Sequence, residues 1–411
     1  MTSMKNYLLA VTVIALASTA LASCSNDDDK DMPMLTSSVI SFHNVLEPKE
    51  FVESGTFAGM GNDEVKAPVI LPGQNISFTF HAGKGQALMF ATMYGASKDW
   101  FFAPENPGLK LFNEDGTAIT GDVSSHIKLW DNGTKAGMTD DKEDADIMMV
   151  PGVDASKLMK LELSYTVSSS EFKLTITNMS GGSMNETPFS PGVWSVSNVF
   201  GGALLNAMPF YEAGKKTNAE ITAIAQMGDN EPLNKKISAN TGIITGISPA
   251  VVVVYTGDTN PIFELGKKDA GMGLKNLAQM GDGTVLKASL EKMPNVKKVY
   301  VAGNAPIVPG EKAEVQIEVN ENEHIAYATM FGYSNDWFYA NDAVIPADFK
   351  GDITARTALF DDGTAVSQYP GAGNAQGLFT GMLQAEDLSI MKVDDMFPVP
   401  AINKVLKVTI K

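Results

Sequence analysis

Residues 91–103 read ATMYGASKDWFFA, and residues 328–340 read ATMFGYSNDWFYA. Nine of the thirteen positions are identical, at an offset of 237 residues. The match continues upstream at the same offset, where LPGQNISFTF from Leu71 faces VPGEKAEVQI from Val308. Downstream, GDVSSHIKLWDNGT from Gly121 faces GDITARTALFDDGT from Gly351 at an offset of 230, so an intervening loop is seven residues shorter in the second copy. A shorter duplication lies between these. Ser190-Pro191-Gly192-Val193 leads to AQMGD at Ala225 to Asp229, and Ser248-Pro249-Ala250-Val251 leads to AQMGD at Ala278 to Asp282. Two copies of so long a unit predict two globular domains rather than a solenoid.

Most local patterns are those of strands. Apolar residues alternate at Ile76, Phe78 and Phe80, at Phe172, Leu174 and Ile176, at Val315, Ile317 and Val319, and at Leu406, Val408 and Ile410. A period of two puts one face in a core and the other in water. The unbroken run Val251 to Val254 predicts a strand covered on both faces. Two helices are expected. Asn218 caps one carrying Ile221, Ile224 and Ala225 and stopped by Gly228; Asp269 caps its equivalent, carrying Leu274, Leu277 and Ala278 and stopped by Gly281. The expected class is mainly β, with antiparallel sandwiches and short helices.

The chain has 411 residues, of which 48 are acidic and 31 basic, for a net charge of −17. An acidic surface with a single arginine, Arg356, repels phosphate backbones, so nucleic acid is excluded as a partner. Acidic excess suits divalent cations, and it equally serves solubility. The only cysteine is Cys24, at the end of Leu21-Ala22-Ser23-Cys24 and downstream of Lys5 and an apolar run from Tyr7 to Leu21. That order is a secretory signal peptide. The run is shorter than the roughly twenty residues of a spanning helix. The cysteine at the cut resembles the bacterial lipobox, which implies a signal peptide over residues 1–23 and lipid on Cys24. An acidic tether follows over residues 24–36, and its Asp27-Asp28-Asp29 resembles the surface-export signal of Bacteroidetes lipoproteins. The expected location is the cell envelope, as an outer-membrane lipoprotein facing outward, with the membrane met through the N-terminal lipid.

Four aspartates stand at the ends of apolar segments. Asp99 precedes Trp100-Phe101, and Asp336 precedes Trp337-Phe338. Asp131 lies in Trp130-Asp131-Asn132-Gly133-Thr134, and Asp361 in Phe360-Asp361-Asp362-Gly363-Thr364. On one reading they cap turns while the aromatics anchor the strand ends. On the other, the loops of each copy meet at one rim and form an oxygen-rich nest for calcium or magnesium. No enzyme is expected. His43, His81, His126 and His324 form no HExxH, and GxSxG, P-loop and GxGxxG patterns are missing. Paired carboxylates of glycosidase type stay open as an alternative. Trp100, Trp130, Trp194 and Trp337 are candidates for sugar stacking or for core packing.

The SPGVW segment, the AQMGD helix end, the PG-led strand, NDWF and DxGT together resemble the spondin N-terminal domain family. The resemblance is fullest from Glu171 to Lys411, while Ser37 to Ser170 carries only the later motifs. It implies C2-like β-sandwiches with a divalent cation site at one edge, used in adhesion. The implied metal ligands are Asp99 with Asp131, and Asp336 with Asp361. The family often has an acidic residue after the DxGT threonine, where this chain has Lys135 and Ala365. The lost charge weakens any ion, and Lys135 competes with it. The expected domains are residues 37–170 and residues 171–411, the second holding the internal duplication. In a permuted alternative, Asn178 to Ile247 completes the first domain and the boundary moves towards 245. The expected function is a lipid-anchored, cell-surface binding or adhesion protein for an extracellular protein or glycan. The alternatives are a cation-dependent carbohydrate-binding accessory lipoprotein and, more weakly, a glycoside hydrolase-like enzyme.

Overall fold

The alternating segments form strands, and the computed structural model, which describes residues 36–59, 68–394 and 396–411, arranges them in antiparallel sheets. The leader, Cys24 and the tether up to Leu35 lie outside the described residues. In chain order the strands are β1 (Thr36–Asn44), β2 (Phe51–Phe57), β3 (Asn75–His81), β4 (Ala87–Met93), β5 (Trp100–Pro104), β6 (Leu109–Lys110), β7 (Gly121–Asp122), β8 (Ile127–Asp131), β9 (Met148–Met149), β10 (Met159–Thr166), β11 (Glu171–Asn178), β12 (Gly192–Ser197), β13 (Val199–Phe200) and β14 (Ala203–Leu204). Helices α1 (Ala219–Met227) and α2 (Glu231–Ala239) follow, then β15 (Ala250–Tyr255), α3 (Leu274–Met280) and α4 (Thr284–Leu290). The chain closes with β16 (Val296–Ala302), β17 (Lys312–Val319), β18 (His324–Met330), β19 (Trp337–Asn341), β20 (Ile345–Pro346), β21 (Gly351–Asp352), β22 (Thr357–Asp361), β23 (Met391–Lys392) and β24 (Leu406–Ile410).

Two larger sheets repeat one another strand for strand. Their orders are β2-β12-β4-β5-β8-β9 and β16-β15-β18-β19-β22-β23. Two smaller sheets also correspond, β3-β11-β10-β7 and β17-β1-β24-β21. In the last of these, β1 holds the place that β11 holds in its counterpart. It pairs with β17 from Thr36↔Val319 to His43↔Lys312, and with β24 from Ile40↔Ile410 to Asn44↔Leu406.

The pairing therefore crosses residue 170 in both directions. β11 and β12 join strands of the first half, and β1 joins strands of the second. The first set of sheets is built from the continuous stretch 51–242, sewn shut where Phe51 N–H donates to Asn240 O (3.1 Å) and Gly242 N–H donates to Phe51 O (2.8 Å). In sequence, this stretch lies between β1 and β15 of the second set.

Each larger sheet is covered on both faces. Leu88, Phe90, Trp194 and Val196 face the smaller sheet, where Phe78 stacks on Trp194 (5.2 Å between centroids) and Phe80 on Phe172 (5.6 Å). Met89, Ala91, Phe101 and Val193 face Ile221, Ile224, Leu233 and Ile237 of α1 and α2. In the second set Val251 and Val253 meet Leu277, Leu286 and Leu290 of α3 and α4, while Val252 and Val254 point to the other side. Cover on both sides is why that segment is an unbroken valine run.

Four helices form where two were expected. The added pair, α2 and α4, have their own signals in Leu233 and Ile237 and in Leu286 and Leu290, each spaced to bury one helical face. Asn218 caps α1 as expected, its Oδ1 accepting from Ile221 N–H (2.8 Å), and Gly228 ends the helix at φ +64°. Asp269 acts differently. The residue before α3 is Gly273, and Asp269 reaches over from the preceding loop to accept from Lys275 N–H (3.2 Å).

Candidate functional site at the strand-end loops

The register places the quoted aspartates side by side in each copy. Trp100 pairs with Asp131 across β5 and β8, and Trp337 pairs with Asp361 across β19 and β22. Asp99 and Asp336, one residue upstream of those tryptophans, reach the same turns. Asp99 Oδ2 accepts from Thr134 N–H (2.8 Å), Thr134 Oγ1 (2.9 Å) and Lys135 N–H (2.7 Å). Asp336 Oδ2 accepts from Thr364 N–H (2.7 Å), Thr364 Oγ1 (3.0 Å) and Ala365 N–H (2.8 Å). These are turn-holding bonds, as one of the two sequence readings expected.

Asp131 and Asp361 bind their own turns and the neighbouring indole. Asp131 accepts from Gly133 N–H (2.8 Å) and Trp100 Nε1–H (2.9 Å). Asp361 accepts from Gly363 N–H (2.7 Å), Trp337 Nε1–H (3.0 Å) and Ser367 Oγ (2.9 Å). The turn glycines sit at φ +70° and +69°. A Cβ at Gly363 would also come within 2.8 Å of Leu388 O, so a side chain is barred there twice over.

Sequence reasoning missed three further pairs. Gln226 Nε2 donates to Thr134 Oγ1 (2.8 Å), and Gln279 Nε2 donates to Thr364 Oγ1 (3.0 Å). The repeated glutamine of AQMGD thus reads the repeated threonine of DxGT in both copies. The third pair is Asn132 and Asp362. Asn132 Nδ2 donates to Thr134 Oγ1 (3.1 Å), whereas Asp362 Oδ2 stands 3.0 Å from Thr364 Oγ1.

Three carboxylate oxygens in these turns are buried without a hydrogen-bond donor: Asp99 Oδ1, Asp336 Oδ1 and Asp362 Oδ1. Burial raises the Asp99 carboxyl, against the pull of its bonds to Thr134 and Lys135. Asp336 is pushed up to about 7, by burial first and then by the charge of Asp361. Asp362 is also pushed up to about 7, by burial and then by Asp269. Glu386 nearby is raised by burial and by Asp361.

Beside the second copy a groove of about 280 Å³ is lined by Trp337, Asp361, Glu386, Leu388, Met391 and Phe397. Among the described residues, no group of three or more His, Cys, Asp or Glu side chains forms a ready metal cage. An ion here would take two carboxylates and fill its shell with hydroxyl, carbonyl or water oxygens, as calcium and magnesium accept. The tryptophans serve the core: Trp130, Trp194 and Trp337 are buried, and Trp100 is half-buried. Among the described residues no helix is long and apolar enough to cross a membrane.

No protein-family model matches the chain, and no curated protein matches it significantly.

Proposed function

We propose that this chain is a lipid-anchored, cell-surface binding or adhesion protein. It carries two C2-like β-sandwich domains of spondin type, whose strand-end loops grip an extracellular protein or glycan with the help of calcium or magnesium. The observation that carries the reading is the twofold convergence of NDWF-type, DxGT and AQMGD segments on one loop cluster, with unsatisfied carboxylate oxygens inside it. Buried carboxylates without donors are costly, and a hard cation relieves that cost. The strand pairing supports the domain division near 245, with residues 51–242 as one domain and β1 joined to residues 245–411 as the other. The anchor at Cys24 rests on the leader pattern alone.

The test is a screen of cells bearing the full chain against matrix proteins and glycans. Binding should fall in EDTA and return with calcium. Ligand capture that ignores EDTA would remove the cation from the reading, and a chain that stays membrane-bound as Cys24→Ala would remove the lipid.

A further inference from the structure

The two loop clusters share their backbone plan but not their supply of hydrogen. The Thr364 hydroxyl accepts from Gln279 and has one proton to give. Asp336 Oδ2 and Asp362 Oδ2 both stand 3.0 Å from it. One proton serves one carboxylate. The other oxygens of the same two groups, Asp336 Oδ1 and Asp362 Oδ1, have no donor, and both residues are 0 % exposed. Asp361 adds a third negative charge at the next position. Among the described residues none of these three carboxylates takes part in an ion pair; Lys392, which lines the adjoining groove, is held by Asp342 (2.9 Å).

In the first copy the same ring of bonds closes. Asn132 replaces Asp362 and donates to Thr134 Oγ1 (3.1 Å); Gln226 donates to it as well (2.8 Å), and the threonine gives its proton to Asp99 Oδ2 (2.9 Å). Asn132 Oδ1 in turn accepts from the Thr217 hydroxyl. Only Asp99 Oδ1 is left over. Lysines also stand where the second copy has none: Lys98 faces Asn335 in the alignment, and Lys135 faces Ala365. The first cluster thus has two carboxylates where the second has three; its two lysines are turned to Asp140, Lys98 Nζ to the carboxylate (3.2 Å) and Lys135 Nζ to the carbonyl (3.1 Å).

We infer that the two clusters are unequal, and that the second alone retains a hard divalent cation, calcium or magnesium, with Asp336 and Asp362 as its carboxylate ligands. This rests on the reading of these loops as a cation site and narrows it to one copy and to a ligand outside the expected set. The physical reason is charge. Uncompensated buried carboxylates destabilise a fold strongly, and removing or neutralising one relieves it. The first copy carries an amide where the second carries a third carboxylate, so it has less buried charge for an ion to relieve.

Calorimetric titration of the purified full chain with calcium should give one ion per chain, and calcium should raise the melting midpoint relative to EDTA. Asp362→Asn, which installs the side chain that the first copy already accommodates, should abolish both effects. In EDTA it should melt higher than the parent, because a buried charge is gone. Asp99→Asn should leave calcium binding unchanged. Asn132→Asp combined with Lys135→Ala should create a second site. Two ions on the parent chain, or one ion that survives Asp362→Asn, would overturn the inference while keeping the cation in the proposed function. A parent chain that binds no calcium or magnesium would overturn both.

Discussion

Two asparagines, one in each copy, do the same work at distant points of the sequence. Asn178 Nδ2 donates to Ile70 O (2.9 Å) and Thr187 O (2.7 Å), and its Oδ1 accepts from Ser180 N–H (3.0 Å). Asn44 Nδ2 donates to Thr245 O (3.0 Å) and Ile307 O (3.0 Å), and its Oδ1 accepts from Leu46 N–H (3.2 Å). Each clamps two chain segments, and each is fully buried. Asn178→Ala would leave buried carbonyls unsatisfied and should cost about 2–3 kcal/mol in urea unfolding, since each orphaned group is worth about 1–3. A loss within experimental error would show that water replaces the amide. At this scale the sequence was half legible. Asp99, Asp131, Asp336 and Asp361 could be picked out because repetition framed them. The glutamine and threonine that complete their bonds were also repeated, but they lie 92 and 85 residues apart, and only folding reveals that they touch. The difference between Asn132 and Asp362 was visible as letters. Its meaning needed the single hydroxyl that both positions share.

At the level of elements, periodicity did most of the work. β11 was readable because Phe172, Leu174 and Ile176 alternate with polar residues, and all three are buried. β1 was not read as a strand, although Ile40 and Phe42 follow the same alternation, because Ser38 and Ser41 blur it. Ser38 is buried on the same face as Ile40 and Phe42, and on the other face Ser41 is buried while Ser37 is exposed. Phe42 packs edge-on against Tyr327 at 5.2 Å. Phe42→Ala should therefore cost about 3–5 kcal/mol, the usual penalty for emptying a buried aromatic site. A chemical denaturation series on the full chain would show it. The helix start at Asn218 offers a smaller, cleaner probe. Asn218→Ala should lower stability by about 1 kcal/mol through loss of the cap, and Asn218→Ser should restore most of it; equal losses for the two would point to the Asn218 Nδ2 bond with Phe210 O (2.8 Å) instead. The missed helices, α2 and α4, are as long as the expected α1 and α3, but each buries only two apolar residues and neither has a side-chain cap at its start.

Across the whole molecule the two sets of sheets are bound by more than a linker. The loop after the second DxGT turn crosses to the first set. Gln368 Nε2 donates to Val167 O and Ser168 O (both 3.1 Å), Asn374 Oδ1 accepts from Lys84 N–H (2.9 Å), and Gly371 O accepts from Gln86 Nε2 (2.9 Å). Tyr369 stacks on His81 at 4.8 Å, and one apolar cluster runs through both sets. Calorimetry should accordingly show one cooperative unfolding transition. Tyr369→Ala with Asn374→Ala should separate it into two; two transitions in the parent chain would show that the strap contributes little. None of this was legible in the sequence. A repeat announces that units exist, and the permuted alternative allowed that Asn178 to Ile247 join the first of them. Which strand completes which sheet depends on long-range pairing that local pattern does not encode.

The position of β1 bears on mechanics. It is an interior strand, laced to β17 on one side and to β24 on the other, and it is also where the described chain begins. A pull at Thr36 directed along the strand is met in shear, by rows of backbone bonds that lie across the force and must rupture together. A strand peeled from an edge would lose them one at a time. Were residues 24–36 to act as the proposed tether, tension on it would be spread over these two seams before any sheet could tear.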